Sequence, residues 1–99
     1  MSGVYILKNN TKSNSDQIYI KIGCSKNIEK RVKQIEKSFK FNGNLDELIL
    51  HKVLECNDFK RLEKTLHSIM KSRKITNEWF LTDEEFLINR LRMVDLSIY

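Results

Sequence analysis

The alternation of hydrophobic and polar positions near the start of the chain predicts two strands. Residues 4–7 form a short apolar run of β-favouring types, and residues 9–17 are all polar and predict a loop. Ile18, Ile20 and Ile22 then alternate with Tyr19, Lys21 and Gly23, which is the period of a strand with one buried face. Because a single loop joins the two strands, we expect an antiparallel hairpin.

A helix, a turn and a third strand are predicted next. Ser25 is a typical N-cap, and the apolar residues that follow it have helical spacing as far as about residue 38. Residues 41–46 are rich in turn-forming types, and residues 48–56 are apolar and favour a strand. The helix would bury the apolar positions Ile28, Val32, Ile35 and Phe39.

Two more helices complete the predicted order. Asn57 or Asp58 caps a helix that runs to about residue 73, and a capping box at residues 82–85 opens another that ends near residue 93. The first of these would bury Phe59, Leu62, Leu66, Ile69 and Met70. The order ββαβαα predicts an α/β fold in which helices flank a small three-stranded antiparallel sheet. We expect one domain over residues 1–99.

The charge is uneven along the chain. Eighteen Lys and Arg against thirteen Asp and Glu give a net charge of +5 over 99 residues. Residues 21–40 hold seven positive and two negative side chains, and residues 60–74 hold six positive and one negative. Each segment therefore has a net charge of +5. Two basic segments in so short a chain favour a polyanionic partner such as nucleic acid, although two solvated helix faces would give the same composition.

Several classes of protein and site do not fit the sequence. No apolar run approaches the roughly 18–20 residues that span a bilayer, and residues 1–8 lack the features of a signal peptide. Two cysteines, Cys24 and Cys56, are too few for a disulfide-stapled secreted domain, so we expect a cytoplasmic protein without membrane contact. These cysteines with His51 and His67 match no short zinc-finger spacing.

Two charged residues fall beside the apolar stripes of the predicted helices. Arg31 lies next to the stripe of the first helix, and Glu63 lies at the edge of the stripe of the second, with His67 one turn further on. A charge at such a boundary needs a partner, a ligand or a metal. An Arg–Glu salt bridge or a snorkelling side chain is the ordinary explanation, and a functional site is the other.

Short motifs follow one another along the predicted elements, in the order Gly3-Val4-Tyr5, Lys21-Ile22-Gly23, Lys30-Arg31-Val32, Leu62-Glu63 and Asn77-Glu78-Trp79-Phe80. In this order and spacing they resemble the GIY-YIG nuclease superfamily over roughly residues 3–80. The chain looks most like a phage-associated branch, described as a DNA-binding domain, whose second motif reads Lys-Ile-Gly. Each motif is weak by itself, and the match depends on all of them together.

The resemblance implies a catalytic set. Tyr5 corresponds to the tyrosine that positions or deprotonates the attacking water, Arg31 to the arginine on the scissile phosphate, and Glu63 to the carboxylate that holds one Mg²⁺ (or Mn²⁺). A phenol with a pKa near 10 becomes a base only if cations lower that value, and Lys21, Arg31 and a metal would each do so. The guanidinium of Arg31 suits phosphate because it is a planar fork that stays charged.

The resemblance also implies auxiliary residues. Gly23 corresponds to the glycine that lets the backbone turn tightly into the first helix, and Asn77 to a polar residue that buttresses the site. His67 follows Glu63 by one helical turn, as in many members of the branch.

The main departure is Lys21, which stands where better-known members have a second tyrosine. Lys21 would lower the pKa of Tyr5 or bind a phosphate. Tyr19, on the same face of the strand, would partly replace the missing phenol. Cys24 occupies a position that is lysine in some repair members.

The sequence therefore predicts a Mg²⁺-dependent endonuclease that hydrolyses DNA phosphodiester bonds in a single step. Backbone affinity would come from the outer lysines Lys26, Lys30, Lys33, Lys37, Lys60 and Lys64. Specificity would come from loops, from a homodimer or from a fused or separate partner, and RNA remains a second candidate substrate. The alternative is a binding module of the same fold without efficient cleavage, and a third is a protein-interaction domain.

Overall fold

One antiparallel sheet of five strands organises the chain in the computed structural model, which describes residues 1–99. The strands are β1 (Gly3–Asn9), β2 (Ile18–Ser25), β3 (Leu48–Glu55), β4 (Lys74–Thr76) and β5 (Trp79–Thr82). The helices are α1 (Ile28–Phe41), α2 (Phe59–Ile69) and α3 (Glu84–Leu91), with 3₁₀ turns at Lys71–Arg73 and Leu96–Ile98. The strand order is β3-β1-β2-β5-β4.

The predicted hairpin of β1 and β2 is confirmed, and so is the mixed α/β class. The prediction of three strands is wrong, because β4 and β5 extend the sheet beyond β2. β4 has three exposed residues and β5 only four, so neither carries the long alternation that marks a strand in sequence. The observed order is ββαβαββα.

The two faces of the sheet carry separate cores. Val4 and Ile6 of β1 point to one face and pack with the isoleucines of β2 against α2 and α3. Tyr5 and Leu7, the alternate residues of β1, pack on the other face against α1 through Ile28, Val32 and Ile35. The sheet is therefore sandwiched between α1 and the pair α2 and α3.

Helix boundaries differ from the prediction at five ends, since α1 also runs to Phe41 instead of about residue 38 and α3 ends at Leu91 instead of about residue 93. The N-cap of α1 is Asn27, whose side chain accepts a bond from the Lys30 amide, while the Ser25 hydroxyl accepts from Asn27 instead. Asp83 and not Thr82 caps α3, because Thr82 is still part of β5. α2 ends at Ile69 and continues as a 3₁₀ turn. None of the helices has the length and apolar character needed to cross a bilayer.

One residue of the predicted first loop is buried. Asn9 is the last residue of β1 and is 1% exposed, and its side chain donates to the Asp46 carboxylate at 2.9 Å and accepts from the Lys12 amide at 3.0 Å. Asn10 makes a further pair of bonds to Glu47. These contacts fix the β1–β2 loop against the segment that leads into β3.

Candidate active site

Tyr5 and Gly23 face each other across the β1–β2 pair, on the side of the sheet that α1 covers. The side chain of Tyr5 is 2% exposed and lies directly over Gly23. A Cβ atom at Gly23 would stand 2.3 Å from the Tyr5 hydroxyl oxygen, which is closer than any real contact. The glycine of the second motif is therefore required by the phenol of the first, whereas the sequence reasoning assigned it to a backbone turn.

The pKa of Tyr5 is raised above its usual value of 10.0. Burial is the largest cause, and the adjacent Arg31 guanidinium offsets part of it through hydrogen bonding and charge. The carboxylates of Glu78 and Glu63 raise it further. Arg31 lowers the pKa of Tyr5 as expected, but burial outweighs it, so the pKa of the phenol is raised overall.

Lys21 is held by an ion pair with Glu78. Its side chain is 14% exposed and its ammonium group bonds to the Glu78 carboxylate. Glu78 also accepts a backbone bond from the Ile22 amide at 3.1 Å. The second-motif lysine is therefore neutralised by a residue that sequence reasoning had not assigned to the site.

Asn77 shapes the hairpin that presents Glu78. It lies in the two-residue turn between β4 and β5 and has a φ of 32°, in the left-handed region that asparagine tolerates better than most residues. Its side chain is exposed. Asn77 thus affects the site through backbone conformation, not through a side-chain contact.

Glu63 stands beside Cys24 at the end of β2. Burial, followed by the hydrogen bond and charge of Glu63, raises the pKa of the Cys24 thiol from 9.0 to about 12. Glu63 is half-buried on α2, and no lysine or arginine lies within ion-pair distance of it. The predicted alternative of an Arg31–Glu63 salt bridge is absent. The carboxylate is left without a cationic partner, next to a thiol that keeps its proton.

The chemistry of this carboxylate fits a hard divalent cation. No three His, Cys, Asp or Glu side chains come together as a complete metal cage. Mg²⁺ needs no such cage, because it commonly keeps several waters and binds through one or two carboxylates. Glu63 meets that requirement, and the protonated Cys24 thiol is not a competing ligand.

The side chain of His67 forms a hydrogen bond with the backbone of β2. Its Nε2 lies 2.9 Å from the Ile22 carbonyl oxygen, so this nitrogen carries the proton and donates. The ring also packs edge-on against Phe80, with the ring centres 5.1 Å apart. His67 therefore ties α2 to β2 just before Gly23 and supports the strand that carries the site.

Tyr19 belongs to an aromatic cluster away from Tyr5. It stacks on Trp79 with the ring centres 4.8 Å apart and the planes 16° from parallel, and Phe39 of α1 approaches Trp79 at 6.0 Å. Tyr19 is four residues along β2 from Gly23, which corresponds to about 13 Å of strand. It therefore does not stand where the second phenol would act on Tyr5.

Trp79 lines a cavity between α1 and the sheet. The cavity measures about 220 Å³ and is lined by Lys21, Arg31, Gln34, Ile35, Ser38, Phe39 and Trp79. Phe80, its neighbour in β5, is fully buried in the core on the other face. Of these two neighbouring residues, Phe80 therefore belongs to the core, whereas Trp79 is half-buried and faces the cavity.

The predicted nucleic-acid-binding lysines are all exposed, and none is in an ion pair. They are divided between helices that pack on opposite faces of the sheet. The charge of Lys60 acts on Cys24, so this lysine stands at the Glu63 end of the site. The six lysines are Lys26 before α1, Lys30, Lys33 and Lys37 on α1, and Lys60 and Lys64 on α2.

A family model for the T5orf172 domain matches residues 2–95 of the chain. The chain belongs to the T5orf172 domain family. No curated protein and no solved structure matches it. The match covers every strand and helix of the fold, together with the cluster formed by Tyr5, Gly23, Arg31, Glu63 and Glu78.

Several residues of this T5orf172 domain site were not assigned from sequence. Glu78 was named only as part of a motif, although a carboxylate five residues past the predicted second helix could have been paired with the unexplained Lys21. Gln34 and Ser38 carry no motif signal at all, and only the packing of α1 over the sheet brings them next to Trp79.

Proposed function

We propose that this T5orf172 domain is a Mg²⁺-dependent endonuclease of the GIY-YIG type that hydrolyses DNA phosphodiester bonds. The observation that supports it most is the convergence of Tyr5, Arg31 and Glu63 around the end of β2, where both Arg31 and Glu63 act on the Tyr5 phenol. The family is phage-associated and is found in nuclease contexts. A purely structural site has no need for a half-buried carboxylate without a cationic partner.

Glu63 is the residue that would hold the metal. When bound, a Mg²⁺ ion would neutralise charge on the non-bridging phosphate oxygens and assist the leaving oxygen. Removing the net negative charge from the Glu63 position would also lower the pKa of Tyr5, since Glu63 is one of the groups that raises it.

Arg31 is the phosphate ligand in this proposal. It is exposed, it forms no ion pair, and its guanidinium already lies beside the Tyr5 hydroxyl. A phosphate oxygen bound to Arg31 would therefore stand within reach of a water on Tyr5. Its bidentate fork would stabilise the negative charge on the non-bridging phosphate oxygens in the transition state.

Tyr5 would act as a relay, because its raised pKa keeps it protonated near neutral pH. The attacking water gives its proton to the phenol oxygen while the phenol releases its own proton to solvent. The water oxygen forms a bond to phosphorus, the bond to the leaving oxygen breaks, and the leaving oxygen takes a proton from solvent.

A binding module without efficient cleavage is the second candidate. The observations that favour it are the ion pair that occupies Lys21 and the raised pKa of Tyr5. In this case the exposed lysines and Arg31 would bind the DNA backbone, with an affinity that falls as salt rises.

Nicking of supercoiled plasmid separates these two candidates. The nuclease proposal predicts nicking by the wild type in Mg²⁺, no nicking in EDTA, and loss of nicking in Glu63→Gln. Glu85→Gln, an exposed carboxylate of α3, is the matched control and should nick as the wild type does. Salt-sensitive binding without nicking by the wild type would reject the nuclease and leave the binding module.

A further inference from the structure

The cavity between α1 and the sheet has two aromatic walls and one unpaired cation. Phe39 and Trp79 both line it, with their ring centres 6.0 Å apart and their planes tilted by 37°. Tyr19 supports Trp79 but does not line the cavity. The Lys21 ammonium is already paired with Glu78, which leaves Arg31 as the free positive charge at this opening.

We propose that this cavity binds one unpaired nucleobase of a DNA strand, next to the phosphate held by Arg31. The inference rests on the proposed function, because it takes Arg31 as the phosphate ligand. Arg31 is shared between the cavity and the Tyr5 site, so the base in the cavity would belong to a nucleotide that flanks the cut.

The size and lining of the cavity suit a single base. Its volume of about 220 Å³ is below the roughly 300–1,000 Å³ of sites for drug-sized ligands, and it matches one flat ring system better than a larger ligand. The aromatic walls offer stacking, which every base accepts. Gln34 and Ser38 of α1 add an amide and a hydroxyl that can bond to the edge of a base.

A paired base cannot enter such a cavity without leaving its stack. Flipping a base out of a duplex costs least where it is mismatched, bulged or already single-stranded. The substrate class is therefore DNA with an unpaired nucleotide beside the cleaved bond, and fully paired duplex would be bound mainly through its backbone.

Trp79 is the only tryptophan in the chain, so its fluorescence reports on this cavity directly. We would titrate the protein, in EDTA to prevent cleavage, with three DNAs: a blunt duplex, the same duplex with one bulged thymine, and the same duplex with an abasic residue at the bulge. The bulged thymine should quench the fluorescence and bind roughly 5- to 150-fold more tightly than the abasic bulge, the range of one stacked base.

Ser38→Phe fills the cavity from an exposed helix position and should abolish this difference. Ser68→Phe places the same side chain at an exposed position of α2 and should retain it. Equal binding of the thymine and abasic bulges by the wild type, or an undiminished preference in Ser38→Phe, would overturn the subsite. Tighter binding of an RNA of the same sequence would overturn its assignment to DNA.

Cleavage is scored separately in Mg²⁺. Nicking of plasmid without a preference for the bulged thymine rejects the subsite alone and leaves the nuclease. A preference for the bulged thymine without nicking supports the subsite and rejects the nuclease.

Discussion

The carboxylate of Glu63 lies beside the thiol of Cys24 and forms a hydrogen bond with it. The pKa of this thiol therefore reports on the charge of Glu63, the proposed metal ligand. Burial comes first and Glu63 second among the causes that raise the pKa of Cys24 to about 12. Glu63→Gln should therefore lower that pKa and increase the fraction of thiolate at pH 8. The rate of Cys24 alkylation by iodoacetamide measures the change, in a Cys56→Ser background that leaves one thiol.

The same reaction tests metal binding without any need for cleavage. Mg²⁺ on Glu63 would reduce its negative charge, so added Mg²⁺ should speed alkylation of Cys24 in the wild type. The Glu63→Gln protein should not respond. Equal acceleration in both proteins, or none in the wild type, would count against Glu63 as the metal ligand.

The buried phenol of Tyr5 predicts a loss of stability in alkali. The folded pKa of Tyr5 lies above the unfolded value near 10, so the neutral form is favoured by the fold. This contribution is fully present below pH 10 and is lost as the pH rises from 10 through the folded pKa, because the unfolded chain releases its proton first. Urea unfolding at a series of pH values measures it.

In Tyr5→Phe, the free energy of unfolding should fall less than in the wild type as the pH rises above 10. In Tyr19→Phe it should fall as it does in the wild type. Both variants are compared in a Cys24→Ser background. The titration of Cys24 would otherwise lower the free energy of unfolding between its unfolded pKa near 9 and its folded pKa of about 12. An unchanged alkaline profile in Tyr5→Phe would contradict the assignment.

The contact between Tyr5 and Gly23 predicts coupling between the two positions. Gly23→Ala should lower the free energy of unfolding by about 1–3 kcal/mol, because the new methyl group overlaps the Tyr5 ring. Tyr5→Leu removes the hydroxyl end of that ring, so Gly23→Ala should cost much less in the Tyr5→Leu protein. Strictly additive free energies in the double-mutant cycle would show that the overlap is not the cause.

Thr82 offers a route to a more stable protein. Its hydroxyl oxygen is buried and has no hydrogen-bond partner. Thr82→Val keeps the β-branched shape and should raise the free energy of unfolding by about 1 kcal/mol. Thr65→Val is the matched control and should lower it, because the Thr65 hydroxyl bonds to Arg61 and Tyr99. Destabilisation by Thr82→Val would mean that the hydroxyl is satisfied in solution.

Local pattern was enough to predict much of the fold. The alternating isoleucines of β2 and the apolar stripes of α1 and α2 are signals that a sequence carries by itself, and the hairpin and these helices were predicted from them. β4 was missed because its three residues are all exposed, and the order of β5 in the sheet depends on its pairing with β2, more than fifty residues earlier in the chain.

The candidate site was predictable in its residue types but not in its electrostatics. The resemblance identified Tyr5, Arg31 and Glu63 as a set. The direction of the Tyr5 pKa shift depends on how deeply the phenol is buried and on the charge of Glu78, which lies in a hairpin that the sequence did not reveal. Cross-strand partners of this kind are set by the fold and leave no local pattern.

The single-turnover rate of plasmid nicking in Mg²⁺ at saturating protein tests whether Arg31 stabilises the transition state of DNA cleavage. Arg31→Ala is compared with Lys33→Ala, which removes an exposed cation two residues along the same helix. We predict that Arg31→Ala lowers the rate by about 10²-fold or more, as expected for a lost transition-state contact, and that Lys33→Ala alters only the affinity and its salt dependence. Equal rates for the two variants would contradict this role of Arg31, and a wild-type rate in Mg²⁺ no higher than in EDTA would contradict the nuclease itself.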